Sequence, residues 1–382
     1  MPKYGKDQTY SREYNTRLVL ERLQKEPCSG TELASELSLS NATVSSIIKS
    51  LEESGVICVR EITSVNGLGR KRVMYELNPN YGLVLGVNVS NYHANISLID
   101  MKQEVIANQD IQVEKYDASS IYRIVLESAN LLISNNPNKV MLRCIVITLP
   151  GRVNSITGEL ALSKQFEKEL FSEKHFIQNM FNKQFPNVPV LLANDNNAMA
   201  IGELNSGEFK EARNGIYFNI DFGIGGGIII NNKLYEGDLG YAGEFGLIKY
   251  YDGKSFTSID EFVSLRALCE KASEIVNREV SREELIELYK SNKEVEALVI
   301  RSASIVGNAI AQLTDILDIS KVILSGRVTL FGDNYLQEIK KSLSNLANKV
   351  EISYTRLGRE AEIRGTSSLG VKYILDLVKS KK

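Results

Sequence analysis

The sequence predicts an α/β protein of two unlike parts, an N-terminal winged helix-turn-helix and a larger body of two α/β lobes. Three observations carry this. Residues 31–55 read as a short helix, a tight turn and a third helix with one apolar stripe, and a hairpin pattern follows. From residue 81 the order is strand–strand–strand–helix–strand–helix–strand, which is that of a mixed α/β layer. At Gly215 a second set of strands begins, giving a second lobe of the same kind. A chain of 382 residues accommodates two or three domains. The expected divisions are 1–80, 81–198 with the C-terminal helix 366–382 packed back on it, and 199–365.

In the N-terminal part, Ser11 to Lys25 suits a first helix with Leu18, Val19 and Leu23 inward, stopped by Pro27. Thr31 to Leu37 is a second, short helix, and Ser38-Leu39 the turn. Ser40 is placed to cap a third helix, since its hydroxyl can accept an orphan backbone N–H. Val44, Ile47, Ile48 and Leu51 recur at helical spacing and form one buried stripe, and Gly55 stands where a helix-ending glycine belongs. The opposite face carries Ala42, Ser45, Ser46, Lys49 and Ser50, with Asn41 and Thr43 at its N-terminal flank. Small polar residues let a helix approach a DNA groove closely; Asn reads base edges, and Ser and Thr hold phosphates. The hairpin pairs Val56–Ile62 with Val73–Leu77. Its loop, SVNGLGRKR, brings Arg70, Lys71 and Arg72 to one edge, a pattern suited to gripping phosphate. The expected DNA contacts are therefore Ser40, Asn41, Thr43, Ser45, Ser46, Lys49, Arg70, Lys71 and Arg72. Net charge is −2, so nucleic-acid binding has to come from such a local patch.

Composition excludes other classes. Hydrophobic residues at 43% and charged residues at 24% are those of a globular protein. No apolar run in the sequence reads as a membrane span, and the N-terminus lacks the apolar stretch of a secretory signal, so no membrane partner and a cytoplasmic location are expected. Cys28, Cys58, Cys144 and Cys269 are far apart, and the histidines are His93 and His175. Neither a metal site nor a bound cofactor is expected from such spacing.

In the body, strands are expected over YGLVLGVNVSNYHANISLID, Glu104–Val113, Cys144–Pro150 and VPVLLAND ending at Asp195, with a helix over Ser119–Ser134. Three segments together, LLANDNNAMAIGE, the stretch Asp221–Gly246 and the hairpin ending GRKRVMYELN, resemble the ROK-family transcriptional repressors of the xylose-repressor and N-acetylglucosamine-repressor type. The resemblance runs along nearly the whole chain. It implies an actin- and hexokinase-like (ribonuclease-H-like) body with a cleft between its lobes. It places the Asn-Asp pair from which kinase relatives draw their catalytic base at Asn194-Asp195, sugar-binding glutamates at Glu244 and Glu261, and a cleft-lining turn at Gly151. A carboxylate at a strand end serves as a general base or as a plain acceptor for a sugar hydroxyl.

Against the kinase members of that family the chain departs at several positions. The phosphate-binding Asp-x-Gly-Gly-Thr is Asn88-Val89-Ser90-Asn91-Tyr92; the second phosphate loop is Asp221-Phe222-Gly223; the adenosine segment is Ser325-Gly326-Arg327. The family's metal-binding histidine is Leu247, and its cysteine-rich segment is DGKSFTSID. Lys164 is a candidate contact for an anionic ligand. The expectation is a DNA-binding repressor that senses a small carbohydrate or sugar phosphate without catalysis, acting on a double-stranded operator as a homodimer or dimer of dimers. Two alternatives stay open: an ATP-dependent sugar kinase with a DNA-binding appendage, and a ligand-free scaffold that answers to a protein partner.

Overall fold

The computed structural model describes residues 8–63, 72–90, 93–112, 118–136, 139–162, 176–344 and 349–380. The N-terminal domain contains α1 (Gln8–Lys25), β1 (Cys28–Ser29), α2 (Gly30–Glu36), α3 (Asn41–Glu53), β2 (Ile57–Thr63) and β3 (Arg72–Leu77). Two of its helix starts are capped as their sequences require. Ser29 and Glu32 form a reciprocal capping box on α2, and Ser40 Oγ accepts Thr43 N–H at 3.1 Å on α3. Gly55 closes α3 at φ +73°, where a side chain would be strained. Val44, Ile47, Ile48 and Leu51 are buried as expected, but on α1 Leu20 is buried in place of the half-buried Leu18. The strand β1 makes the wing a three-stranded sheet of order β1-β3-β2, which the hairpin pattern alone does not reveal.

The first lobe holds β4 (Leu83–Ser90), β5 (His93–Ile99), β6 (Val105–Gln112), α4 (Ala118–Ser134), β7 (Leu142–Leu149), the short pair β8 (Arg152–Val153) and β9 (Leu160–Leu162), α5 (Phe176–Gln184) and β10 (Val190–Asn194). Its sheet has the order β10-β7-β4-β5-β6, with β4–β5 and β5–β6 antiparallel and β4–β7 and β7–β10 parallel. Helix α6 (Asp195–Ser206) then leads into β11 (Gly215–Ile220), β12 (Ile224–Ile230) and β13 (Lys233–Tyr235). The ribbon β14 (Lys249–Tyr251)–β15 (Phe256–Ser258) precedes α7 (Asp260–Val263), α8 (Leu265–Val276), α9 (Arg282–Ser291) and α10 (Lys293–Leu317). The chain ends with β16 (Lys321–Ser325), α11 (Gly332–Leu343), β17 (Glu351–Tyr354) and α12 (Glu360–Ser380). The second sheet runs β13-β12-β11-β16-β17 with the same alternation of antiparallel and parallel pairs as the first. The lobes are therefore two copies of one topology.

Three expectations about boundaries change. Asp195 does not end a strand: β10 stops at Asn194, and Asp195 is the first residue of α6. The division expected at 198/199 falls inside that helix. The C-terminal helix starts at Glu360 rather than 366, and it crosses α6 as well as packing on the first sheet. That crossing is close enough to require glycine. A Cβ on Gly365 would sit 1.8 Å from Ala198 O, and one on Gly202 1.9 Å from Ala361 O. The N-terminal domain is not set apart by a loose linker. Asn78 Nδ2 donates to Gly55 O at 2.9 Å, and Arg143 lies 4.1 Å over the Tyr81 ring. Val19, Leu20 and Leu23 of α1 share one buried cluster with Val84, Ile99 and Met101 of the first lobe and Val371, Ile374 and Leu375 of α12.

By length and composition α10 is apolar enough to cross a membrane, contrary to the expectation that no apolar run reads as a span. Its Val295, Val299, Val306 and Ile310 lie buried in the core of the second lobe, so core packing accounts for its apolar character.

Candidate functional site

A cleft of about 180 Å3 opens between the lobes. The first lobe contributes Pro150, Gly151, Arg152 and Asn194, with Asp195 and Asn196 from the start of α6. The second contributes Asn219, Asp221, Phe222, Gly225, Glu244, Leu247 and Asp260. Four of the five expected ligand residues, Gly151, Asn194, Asp195 and Glu244, thus meet in one place.

The β10–α6 junction fixes its geometry. Asn194 caps α6 by accepting Asn197 N–H at 2.9 Å, and its Nδ2 donates to Gly151 O at 2.9 Å. This ties the Pro150-Gly151 turn to the helix start. Asp195 Oδ1 accepts from Asn196 N–H at 2.8 Å and from Asn196 Nδ2 at 2.9 Å. Burial pushes the Asp195 carboxyl up to about 7 against the backbone N–H bonds of Asn196 and of Asp195 itself, and the charges of Glu244 and Asp221 push the same way as burial. Burial also raises Asp221, opposed by Arg327 and Arg282.

Glu261 is not brought to the cleft. Its side chain is 46% exposed and meets Arg266 at 3.2 Å. Asp260 takes the inner position, 6% exposed at the side chain, with Oδ1 accepting Ile224 N–H at 3.0 Å. Successive residues of a helical turn point about 100° apart, so only one of this acidic pair can face inward. Arg152, Asn196 and Asp260 are cleft residues that the motifs did not mark. Their signal was adjacency alone, since each neighbours a residue that was named.

Beneath the cleft, Asn88 is buried at 3% exposure. Its Nδ2 donates to Thr148 Oγ1 at 2.8 Å and to Thr366 Oγ1 at 2.6 Å. Thr148 Oγ1 in turn donates to Glu362 Oε1 at 2.5 Å. Burial pushes Glu362 up to about 8, helped by the charge of Asp195. Glycines 225–227 serve packing: a Cβ on Gly226 would strike Tyr217 O at 2.1 Å, and one on Gly227 would meet Ala200 Cβ at 2.5 Å. Arg327 is ion-paired with Glu283 at 2.6 Å. Among the described residues, no group of three His, Cys, Asp or Glu side chains is placed to hold a metal ion. Lys164 and His175 lie outside the described residues.

On α3, Asn41, Ala42, Ser45, Ser46, Lys49 and Ser50 are exposed on one face. The Ser40 and Thr43 hydroxyls are 2.8 Å apart and bonded to each other, so both serve the helix cap. Arg72 reaches back to Glu32 of α2 at 3.2 Å. Arg70 and Lys71 lie outside the described residues.

Residues 84–372 match the ROK family, and residues 15–70 match an HTH domain. A xylose repressor of Bacillus spizizenii is 27% identical over 387 residues, covering 98% of this chain and 99% of the repressor. A solved ROK family transcriptional regulator, a homolog of the E. coli MLC protein, superposes with a TM-score of 0.80 at 19% identity, covering 97% of this chain and 98% of that one. A ROK family glucokinase from Streptomyces griseus, solved with glucose and AMPPNP, superposes with a TM-score of 0.62 at 22% identity. It is covered completely by 76% of this chain. The fold is thus that of the actin- and hexokinase-like ROK proteins, extended by an N-terminal helix-turn-helix. The chain belongs to the ROK family and, with that domain at its N-terminus, is a DNA-binding transcriptional regulator.

Proposed function

We propose that this regulator is a sequence-specific repressor whose kinase-like body binds a sugar or sugar derivative without phosphorylating it, and which acts as a homodimer or dimer of dimers on its operator. The observation that carries this is the cleft: Gly151, Asn194, Asp195 and Glu244 converge there from both lobes. A ligand touching both lobes binds one interlobe angle better than another and so shifts their equilibrium. In a two-fold dimer a change of angle alters the spacing of the two helix-turn-helix units, to which operator binding is sensitive. Relatives named xylose repressors favour a small carbohydrate as the effector.

Lack of phosphotransfer is supported at three positions. Asn88 cannot supply a metal-organising carboxylate and is engaged with Thr148 and Thr366. Phe222 brings a ring where a phosphate-contacting hydroxyl would stand. Arg327 is held by Glu283. One observation favours the kinase alternative: a carboxyl at about 7 in a cleft is suited to general-base work.

Thermal shift of the full chain against neutral sugars, sugar phosphates and Mg-ATP separates the readings, because a ligand stabilises the state it binds by mass action. The full chain is required, since Val84, Ile99 and Met101 share a core with the N-terminal domain. Stabilisation by one sugar class and none by ATP is expected. ATP turnover with any sugar overturns the proposal, and stabilisation by no carbohydrate favours a scaffold that answers to a protein.

A further inference from the structure

The mouth of the cleft is crossed by a contact between the lobes. Arg152 stands on β8 of the first lobe, directly after Gly151; Glu244 precedes the 3-10 turn Phe245–Leu247 in the second. Arg152 Nε lies 3.3 Å from Glu244 Oε2, with side-chain exposures of 28% and 34%. The guanidinium carbon is 5.8 Å from the centre of the Tyr241 ring. The surrounding backbone reinforces the crossing: Ser155 N–H donates to Leu239 O at 3.1 Å, and a Cβ on Gly240 would come within 2.8 Å of Val153 O. Arg152 Nε is shielded from solvent and makes no hydrogen bond among the described residues. The guanidinium is thus held by charge at Nε, and the rest of its fork carries further N–H donors on a residue that lines the cleft.

The charges lining the cleft narrow what those donors can take. Asp195, Asp221, Glu244 and Asp260 face it, and among the described residues Arg152 is the one cation that lines it. An anionic ligand would meet the Glu244 carboxylate, the carboxyls of Asp195 and Asp221 that burial draws toward their neutral form, Asp260 paired with Arg266, and a guanidinium already matched by Glu244. A neutral polyol avoids that repulsion. Its hydroxyls accept from the guanidinium and donate to Glu244, so one molecule bonds to both lobes.

We infer that Arg152 is a specificity-determining residue of the cleft: paired with Glu244 across the lobes, it donates to a neutral polyhydroxy ligand and makes the cleft select against anionic sugars. This rests on the carbohydrate-sensing function proposed above.

The test is calorimetric binding to the full chain, with D-xylose and D-glucose as neutral probes and D-glucuronate as the anionic one. The wild type is expected to bind one neutral sugar at least tenfold more tightly than glucuronate. Arg152→Met should lose at least tenfold in neutral-sugar affinity. Arg152→Lys keeps the charge but not the fork, so it should keep the charge preference and lose affinity. Glu244→Gln leaves the guanidinium unmatched and should move the neutral-to-anion ratio at least tenfold toward glucuronate, a change that a merely structural role for the pair would not produce. Circular dichroism and melting check that each variant folds; if Arg152→Met does not, Arg152→Lys and Glu244→Gln carry the test. Wild-type affinity for the neutral sugar in Arg152→Met, or an unchanged ratio in Glu244→Gln, overturns the inference and leaves carbohydrate sensing standing. Failure of the wild type to bind any of the three probes counts against carbohydrate sensing itself and takes the inference down with it.

Discussion

Asp195 is where burial and ligand recognition meet at the scale of a single residue. Its folded-state value of about 7 lies above the ordinary 3.8. The protonated form is therefore the one that folding favours. That stabilisation is full below pH 4 and is lost as pH rises through 7. Asp195→Asn removes the titration. Against the wild type it should gain on the order of 2 kcal/mol at pH 8, with the gain shrinking toward pH 4. Urea denaturation of both proteins across that range measures it, and a pH-independent difference would mean that Asp195 is not desolvated. At the same residue, function and stability should part. Asp195→Ala and Glu244→Ala are expected to abolish the ligand response while operator affinity stays within about twofold. Gel-shift titration with and without sugar reads both, and induction retained in both variants excludes this cleft as the sensor.

Two elements carry the consequences of packing and charge. The α6–α12 crossing depends on the absence of side chains at Gly202 and Gly365. Gly365→Ala forces a Cβ into the Ala198 carbonyl and should cost about 3 kcal/mol through overpacking, visible as a lowered urea midpoint. The variant Gly332→Ala, at a site with open space but φ +73°, is a contrasting control expected to lose less. On α3 the exposed face predicts a different observable. Lys49 is 78% exposed, and its link to Glu53 is a loose 3.9 Å, so its charge is available to phosphate. Lys49→Ala should weaken operator binding and reduce the salt slope by about 1. Arg72→Ala should change the slope less, because Glu32 already holds that guanidinium. Equal slopes for the wild type and both variants would exclude the face from phosphate contact.

Across the whole molecule, α12 joins what the sequence presents as separate parts. In its first two turns Glu362 and Thr366 bond under the cleft and Gly365, between them, presses on α6; farther along, Val371, Ile374 and Leu375 share a core with α1. Leu375→Ala removes a side chain only 3% exposed and should cost about 2–5 kcal/mol. Hydrogen exchange in α1 should rise while α10, in the other lobe, keeps its protection. Unchanged protection of α1 would mean that the N-terminal domain is held by contacts other than this helix.

The sequence by itself determined what short-range periodicity determines. The stripe of α3, its Ser40 start and Gly55 stop, the hairpin after it and the succession of strands and helices along the first lobe were legible, because each depends on residues within a turn or two of one another. It also marked Gly151, Asn194, Asp195 and Glu244, whose motifs are local. Tertiary structure alone decided which residue of the Asp260-Glu261 pair faces the cleft, since one residue on a helix rotates a side chain by about 100°. It alone set the burial of Asp195, the pairing of Arg152 with Glu244, the turning of Arg72 toward Glu32 and the reach of α12 from cleft to α1. Those contacts join residues far apart in the chain. Their partners are chosen by how two similar sheets and one long helix stack, which no local pattern encodes.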